Sequence, residues 1–149
     1  MRIIDLFSGV GGLTFGFYYR KYKDHFVRNR KNQFVFANEY NPLAAKAYSE
    51  NYPDIPMKNC DIKSLKESDI RKWIGSEPVD LIIGGPPCQS FSTVGQRNYD
   101  EKAQLYTEYL RVLKIARPKM FLFENVRGIL SMREIFYKRD AAGNILYEL

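Results

Sequence analysis

Apolar residues in this chain fall into short continuous runs, separated by stretches where they recur every three or four positions. The runs are Arg2–Phe7, Gln33–Ala37, Pro56–Cys60, Val79–Ile83 and Met120–Glu124. Continuous runs of this length predict strands covered on both faces. The longer spacing predicts helices over Leu13–Tyr22, Pro42–Asn51, Leu65–Trp73 and Gln104–Ala116. Asn41 is a candidate N-cap, with Pro42 in the first turn behind it. Strand alternating with helix implies a doubly wound, mostly parallel α/β sheet with right-handed crossovers. In the tail, Lys138–Asn144 ("KRDAAGN") predicts a loop, and "NILYEL" predicts the start of another helix. Such sheets usually carry more than five strands. The chain is therefore expected to be cut short relative to its complete fold.

Composition adds limits. At 149 residues, 45% hydrophobic and 27% charged, the chain is expected to form one soluble globular domain with its own core. No apolar run reaches membrane-spanning length and no leader pattern opens the chain. Two cysteines, Cys60 and Cys88, and one histidine, His25, argue against a disulfide framework and against a structural metal site. A reducing, cytoplasmic location follows as the simplest expectation. The net charge of +6 is equally compatible with a polyanionic partner and with an inert basic surface. Its densest stretch runs from Arg20 to Lys31.

Candidate chemistry gathers at the predicted carboxyl ends of the strands. "DLFSGVGG" (Asp5–Gly12) joins the first strand to the first helix. Its glycines permit close backbone approach to a ligand, and the helix start offers free N–H groups. The spacing is not that of the dinucleotide fingerprint, and tight strand–helix packing would also explain it. Glu39 closes the second strand, where a carboxylate can accept from ribose hydroxyls or simply favour a helix N-terminus. Asp61 follows the third strand, where it can take an adenine amino group. Together these positions favour an adenosine-containing cofactor.

The fourth strand runs into "GGPPCQSFS" (Gly84–Ser92). Two prolines stop the strand and stiffen the turn ahead of Cys88. A lone cysteine is usually a small buried apolar residue, but this turn argues against burial. A cysteine protease would need a histidine partner, and His25 lies in a charged stretch. Glu124, at the end of the fifth strand, puts a carboxyl on the same edge. A thiolate beside such an acid suits addition to carbon 6 of a pyrimidine. The acid engages ring nitrogen 3, and carbon 5 then attacks a methyl donor.

Read motif by motif, the sequence resembles the cytosine-5 DNA methyltransferases that use S-adenosylmethionine. "DLFSGVGGLTFGF" is similar to the family's first motif, "NEYNPLAAKAYSENYP" to its second and "CDI" to its third. "GGPPCQSFSTVGQR" resembles its fourth, catalytic motif and "ENVRG" its sixth. The resemblance covers about residues 1–130 and implies a Rossmann-like sheet of strand order 3-2-1-4-5, truncated relative to the full methyltransferase fold. It implies that Phe7 packs on the adenine, that Ser8, Gly9, Val10, Gly11 and Gly12 back the methionine moiety, and that Glu39 holds the ribose. Tyr40 stacks near the adenine, Asp61 and the Ile62 backbone read its edge, and Leu105 lies near the cofactor. Cys88 is the implied nucleophile, on a loop ordered by Pro87 and with Gln89 beside it. Glu124 contacts cytosine nitrogen 3. Ser92, Gln96, Arg97 and Lys102 are expected to face nucleic acid. The substrate is double-stranded DNA whose target cytosine has left the stack.

Two departures accompany the match. Lys102 stands where the family often has arginine, losing the bidentate fork. Nothing resembles the eighth to tenth motifs or a target-recognition domain. One subunit of a split enzyme with a complementing polypeptide, a truncated gene and a fragment of a longer protein all remain open. So do a transfer-RNA substrate and a non-catalytic cofactor-binding module.

Overall fold

The computed structural model describes residues 1–87, 105–126, 138–139 and 145–147. They fall into two compact units, one of Met1–Pro86 with Tyr106–Glu124, the other of Pro87–Leu105 with Asn125–Leu149.

The first unit holds a five-stranded parallel sheet. Its strands are β1 (Arg2–Leu6), β4 (Gln33–Glu39), β5 (Met57–Asn59), β6 (Leu81–Gly84) and β7 (Met120–Phe123). Their spatial order is β5-β4-β1-β6-β7, which in order of appearance is 3-2-1-4-5, as the sequence resemblance implied. The central strands are the most apolar and the most buried, with Ile3, Ile4, Leu6, Phe36, Ile82 and Ile83 fully enclosed. Each such side chain contributes roughly 1.5–3 kcal/mol relative to exposure. On one face, Ile3, Phe34, Leu81 and Ile83 pack with Tyr18, Tyr48 and Tyr52.

Helix α1 (Gly12–Tyr18) supplies Tyr18, helix α2 (Pro42–Asn51) supplies Tyr48, and Tyr52 is the C-cap of α2. Asn41 caps α2 through its side-chain oxygen, which accepts from Leu43 N at 2.9 Å and Ala44 N at 3.2 Å. Helix α3 (Glu67–Ile74) starts two residues later than its apolar spacing suggested. A 3-10 turn (Ile62–Ser64), capped by Asp61, precedes it. Helix α4 (Leu105–Ala116) leads into β7.

The expected helix Leu13–Tyr22 is shorter. It stops at Tyr18, and the chain continues as an antiparallel hairpin of β2 (Tyr19–Tyr22) and β3 (His25–Arg28). Distant groups take the carbonyls at the end of α1. Asn32 Nδ2 donates to Phe17 O at 2.8 Å, and Asn29 N donates to Tyr18 O at 2.7 Å. With those acceptors satisfied, the aromatic-rich continuation is free to pair as a strand. The tail also differs from expectation. Ile145–Tyr147, part of the segment expected to begin a helix, is strand β9 and pairs with β8 (Lys138–Arg139) within the second unit. Strand pairing with a nearby segment outweighs the weak helical spacing of so short a stretch. Lys138–Arg139 is therefore strand rather than loop, and residues 140–144 of the expected loop lie outside the described residues.

Candidate active site

Because all five strands are parallel, their carboxyl ends share one edge, the edge where open α/β sheets take ligands. Chain turns leave that edge after Leu6, Glu39, Asn59, Gly84 and Phe123.

After β1 the backbone swings sharply. Phe7 adopts φ 55°, a left-handed conformation that costs a non-glycine residue on the order of 1 kcal/mol or more. The ladder nonetheless continues for one bond, with Ser8 N donating to Asn38 O at 3.0 Å. Gly11 closes the turn by donating to Ser8 O at 2.9 Å and serves as the N-cap of α1 at φ 96°. Val10 is exposed at the top of the turn. Among the described residues nothing crowds Gly9 or Gly12.

Glu39 fastens this turn to β4. Its Oε2 accepts from Gly9 N at 2.8 Å and its Oε1 from Asn41 N at 2.7 Å. The carboxylate thus serves both the glycine turn and the approach to α2. Next to it, Tyr40 is 74% exposed. Asn59 Nδ2 holds the backbone there, donating to Glu39 O at 2.8 Å and Tyr40 O at 3.1 Å.

Asp61 lies two residues past β5. Its Oδ1 accepts from Lys63 N at 2.9 Å, so one oxygen is committed to the turn. Ile62 is buried beneath it. Two contacts invisible in any local pattern hold this segment. Asn38 Nδ2 donates to Lys58 O and Cys60 O, both at 2.9 Å. Arg111 of α4 reaches across to donate to Leu65 O and Ile62 O, both at 2.9 Å, while its Nε pairs with Glu108 at 2.7 Å.

Glu124 follows β7, with its backbone N donating to Gly84 O at 2.9 Å. Its side chain folds against Gly85, where an added Cβ would stand 2.8 Å from Oε2. Glycine is what lets the carboxylate approach the start of the Gly-Pro-Pro turn. Pro87 and Leu105 are described, both half-buried and both in the second unit. Cys88, Gln89, Ser92, Gln96, Arg97 and Lys102 lie outside the described residues.

Beneath the turn sits a buried carboxyl that sequence reasoning passed over. Asp5 is 1% exposed. Thr14 Oγ1 donates to its Oδ2 and also bonds the Tyr48 hydroxyl at 2.8 Å. Burial pushes the Asp5 carboxyl up to about 7, with the Thr14 bond opposing the rise and the Glu39 charge adding to it. Asp5 Oδ1 and Ser8 Oγ are buried without a hydrogen-bond partner among the described residues. The only sequence signal for this was an acid inside an otherwise apolar strand.

Residues 1–142 match the family described as C-5 cytosine-specific DNA methylase. The chain belongs to that family. It is 42% identical over 135 residues to the Type II methyltransferase M.AgeI of Thalassovita gelatinovora, covering 89% of this chain and 29% of that protein. It is 40% identical to M.NgoPII of Neisseria gonorrhoeae, covering 89% of this chain and 35% of the relative. The chain spans about a third of the length of such methylases. Among solved structures it is similar to a protein described as a DNA modification methyltransferase encoded within an Escherichia coli prophage. That match has TM-score 0.71 and 33% identity, over 91% of this chain and 35% of the other. The DNMT2 of Spodoptera frugiperda superposes with TM-score 0.62 at 26% identity, over 90% of this chain and 38% of that one. No helix among the described residues of this methylase family member is long and apolar enough to cross a membrane. No group of His, Cys, Asp and Glu among them could hold a metal ion.

Proposed function

We propose that this chain supplies the cofactor-binding and nucleophile-bearing part, about residues 1–130, of an enzyme that methylates carbon 5 of cytosine in DNA. The observation that carries the reading is the bond from Gly9 N to Glu39 Oε2. It brings the glycine turn and the acidic strand end to one point on the ligand-binding edge. The residues fit S-adenosylmethionine. Among the described residues, nothing crowds Gly9 or Gly12, Ser8 Oγ is buried and unpaired, and Tyr40 stands exposed.

In this reading Phe7 and Tyr40 flank the adenine, Asp61 and the Ile62 backbone read its edge, and Leu105 lies nearby. The turn Ser8–Gly12 backs the methionine portion, and Glu39 exchanges a backbone partner for ribose hydroxyls. Bound there, the cofactor supplies a methyl group on a sulfonium. The Cys88 thiolate, presented by Pro87 and Gln89, adds to carbon 6 of a flipped cytosine. Glu124, as the acid, engages nitrogen 3 and stabilises the charge that develops in the ring. After carbon 5 is methylated, its proton leaves and the carbon–sulfur bond breaks, returning the thiolate and restoring the aromatic ring. Ser92, Gln96, Arg97 and Lys102 hold the nucleic acid.

A complementing polypeptide that provides target recognition belongs to the same proposal. Its support is apolar surface on β7, where Met120, Phe121 and Leu122 are 55%, 62% and 38% exposed. Exposed edge strands and apolar patches of this kind favour association.

The test is methyl transfer from labelled cofactor to cytosine-containing duplex DNA and to transfer RNA, with cofactor binding followed separately. Transfer to DNA that Cys88→Ser abolishes while binding persists supports the reading. Transfer that survives the substitution, or that goes only to RNA, overturns it.

A further inference from the structure

The hairpin of β2 and β3 has no part in the cofactor or cytosine chemistry above. It and the segment behind it carry Arg20, Lys21, Lys23, Arg28, Arg30 and Lys31 against one carboxylate, Asp24. These fourteen residues, 19 to 32, therefore hold five of the six net positive charges of the whole chain. Arg28 is committed to the fold. It pairs with Asp54 at 3.1 Å, donates to Asn29 O at 2.7 Å and covers the Tyr18 ring at 3.9 Å. The other five cations are exposed, and among the described residues none forms an ion pair.

The hairpin has an inner and an outer face. The pairs Tyr19↔Arg28 and Lys21↔Phe26 lie on one face. Phe15 of α1 meets it, its ring 5.1 Å from Tyr19 and 5.2 Å from Phe26. Arg20 and Tyr22 alternate to the other face, where Tyr22 is 49% exposed and stacks edge-on against His25 at 5.8 Å. Arg20 and Lys23 each sit 5.8 Å from the Tyr22 ring. The base of the hairpin joins the end of α1 to the start of β4, so it is rooted at the sheet edge opposite the glycine turn.

We propose that this hairpin is a second, sequence-independent contact for the phosphate backbone of duplex DNA, separate from the catalytic edge. Unpaired cations concentrated on a two-stranded ribbon match a duplex, which carries one negative charge per roughly 1.7 Å of its axis. Such contacts hold and orient a protein on DNA without reading bases. The choice of DNA over an acidic protein rests on the family's substrate class, so the test excludes the methylation reaction.

The probe is a 30-base-pair duplex of dA and dT only, which contains no cytosine, titrated with the full chain at several salt concentrations without cofactor. The test variant combines Arg20→Ala, Lys21→Ala and Lys23→Ala. A control variant combines Lys46→Ala and Lys72→Ala, which remove exposed cations from α2 and α3. Thermal melting of both variants confirms that they fold. The hairpin variant is expected to lower the slope of log affinity against log salt by about 2–3 and to weaken binding ~10-fold or more near 0.1 M salt. The control is expected to stay within about twofold of the parent. No binding by the parent chain, an unchanged slope in the hairpin variant, or equal losses in both variants would overturn the proposal. A folded hairpin variant that loses duplex binding supports it, whatever the outcome of methylation assays.

Discussion

The Tyr52 hydroxyl donates to the Gly11 carbonyl at 2.8 Å, while the Tyr52 ring fills the space beside the Gly11 Cα. The residue closing α2 thus clamps the residue opening α1, and the glycine turn is fixed between two helices. A Cβ on Gly11 would stand 2.1 Å from Tyr52 Cε2, on a backbone already at φ 96°. Gly11→Ala is expected to cost about 2–5 kcal/mol, combining overpacking with left-handed strain. Tyr52→Phe keeps the ring and removes one bond. Gly11 O keeps its acceptance from Phe15 N at 3.0 Å, so the loss is expected near ~1 kcal/mol. Urea denaturation of the two variants checks the order. Equal effects would mean that the ring does not fill that space.

Glu39 links the turn to β4 with both oxygens. Glu39→Ala should weaken S-adenosylmethionine binding by roughly 1.5–3 kcal/mol, the range for hydrogen bonds to a charged group. It should also release Gly9. Glu39→Gln keeps one acceptor and should fall between. Calorimetric titration of the cofactor measures this, and an unchanged dissociation constant for the alanine variant would limit Glu39 to capping.

Asp5 gives stability a pH dependence of unusual sign for a carboxylate. Its folded value of about 7 lies above the ordinary 3.8. The folded state therefore holds a proton that the unfolded chain has released between those values. Stability from this group is fullest below about pH 4, declines as pH rises toward 7 and stays low above that. The integrated change is on the order of 4 kcal/mol. Asp5→Asn keeps the shape and cannot ionise. The parent chain should lose more stability than the variant between pH 5 and pH 8, by urea denaturation at each pH. Parallel profiles would show that Asp5 is already ionised in the folded chain at pH 5.

Arg111 binds the segment that carries Asp61 and Ile62 through two backbone carbonyls. Arg111→Ala should destabilise the chain by about 2–3 kcal/mol, because the carbonyls of Ile62 and Leu65 lose a charged donor. Arg111→Lys should restore little, since one ammonium cannot span both carbonyls and Glu108 as the planar fork does. Hydrogen exchange over residues 60–66 would rise in the alanine variant if this contact orders the turn, and would stay level if it does not.

Much of the architecture was legible in the one-dimensional pattern. Continuous apolar runs marked the central strands because both faces of the sheet are buried there, whereas β7 is apolar and exposed. Asn41-Pro42 marked the start of α2 because capping is a local contest for free N–H groups. Parallel strand order then placed Glu39, Asp61 and Glu124 toward one edge, although the last two lie just beyond their strands. Long-range partners decided the rest. The helix ends at Tyr18 because Asn29 and Asn32, eleven residues and more away, accept the task of satisfying its carbonyls. The raised Asp5 carboxyl comes from the side chains that exclude water from it, against the opposing bond from Thr14. Gly11 must be glycine because a tyrosine forty-one residues later occupies its side. Local propensity sets which elements form. Burial and distant hydrogen bonds set where they stop, which charges they hold and how firmly the turn at the edge is held.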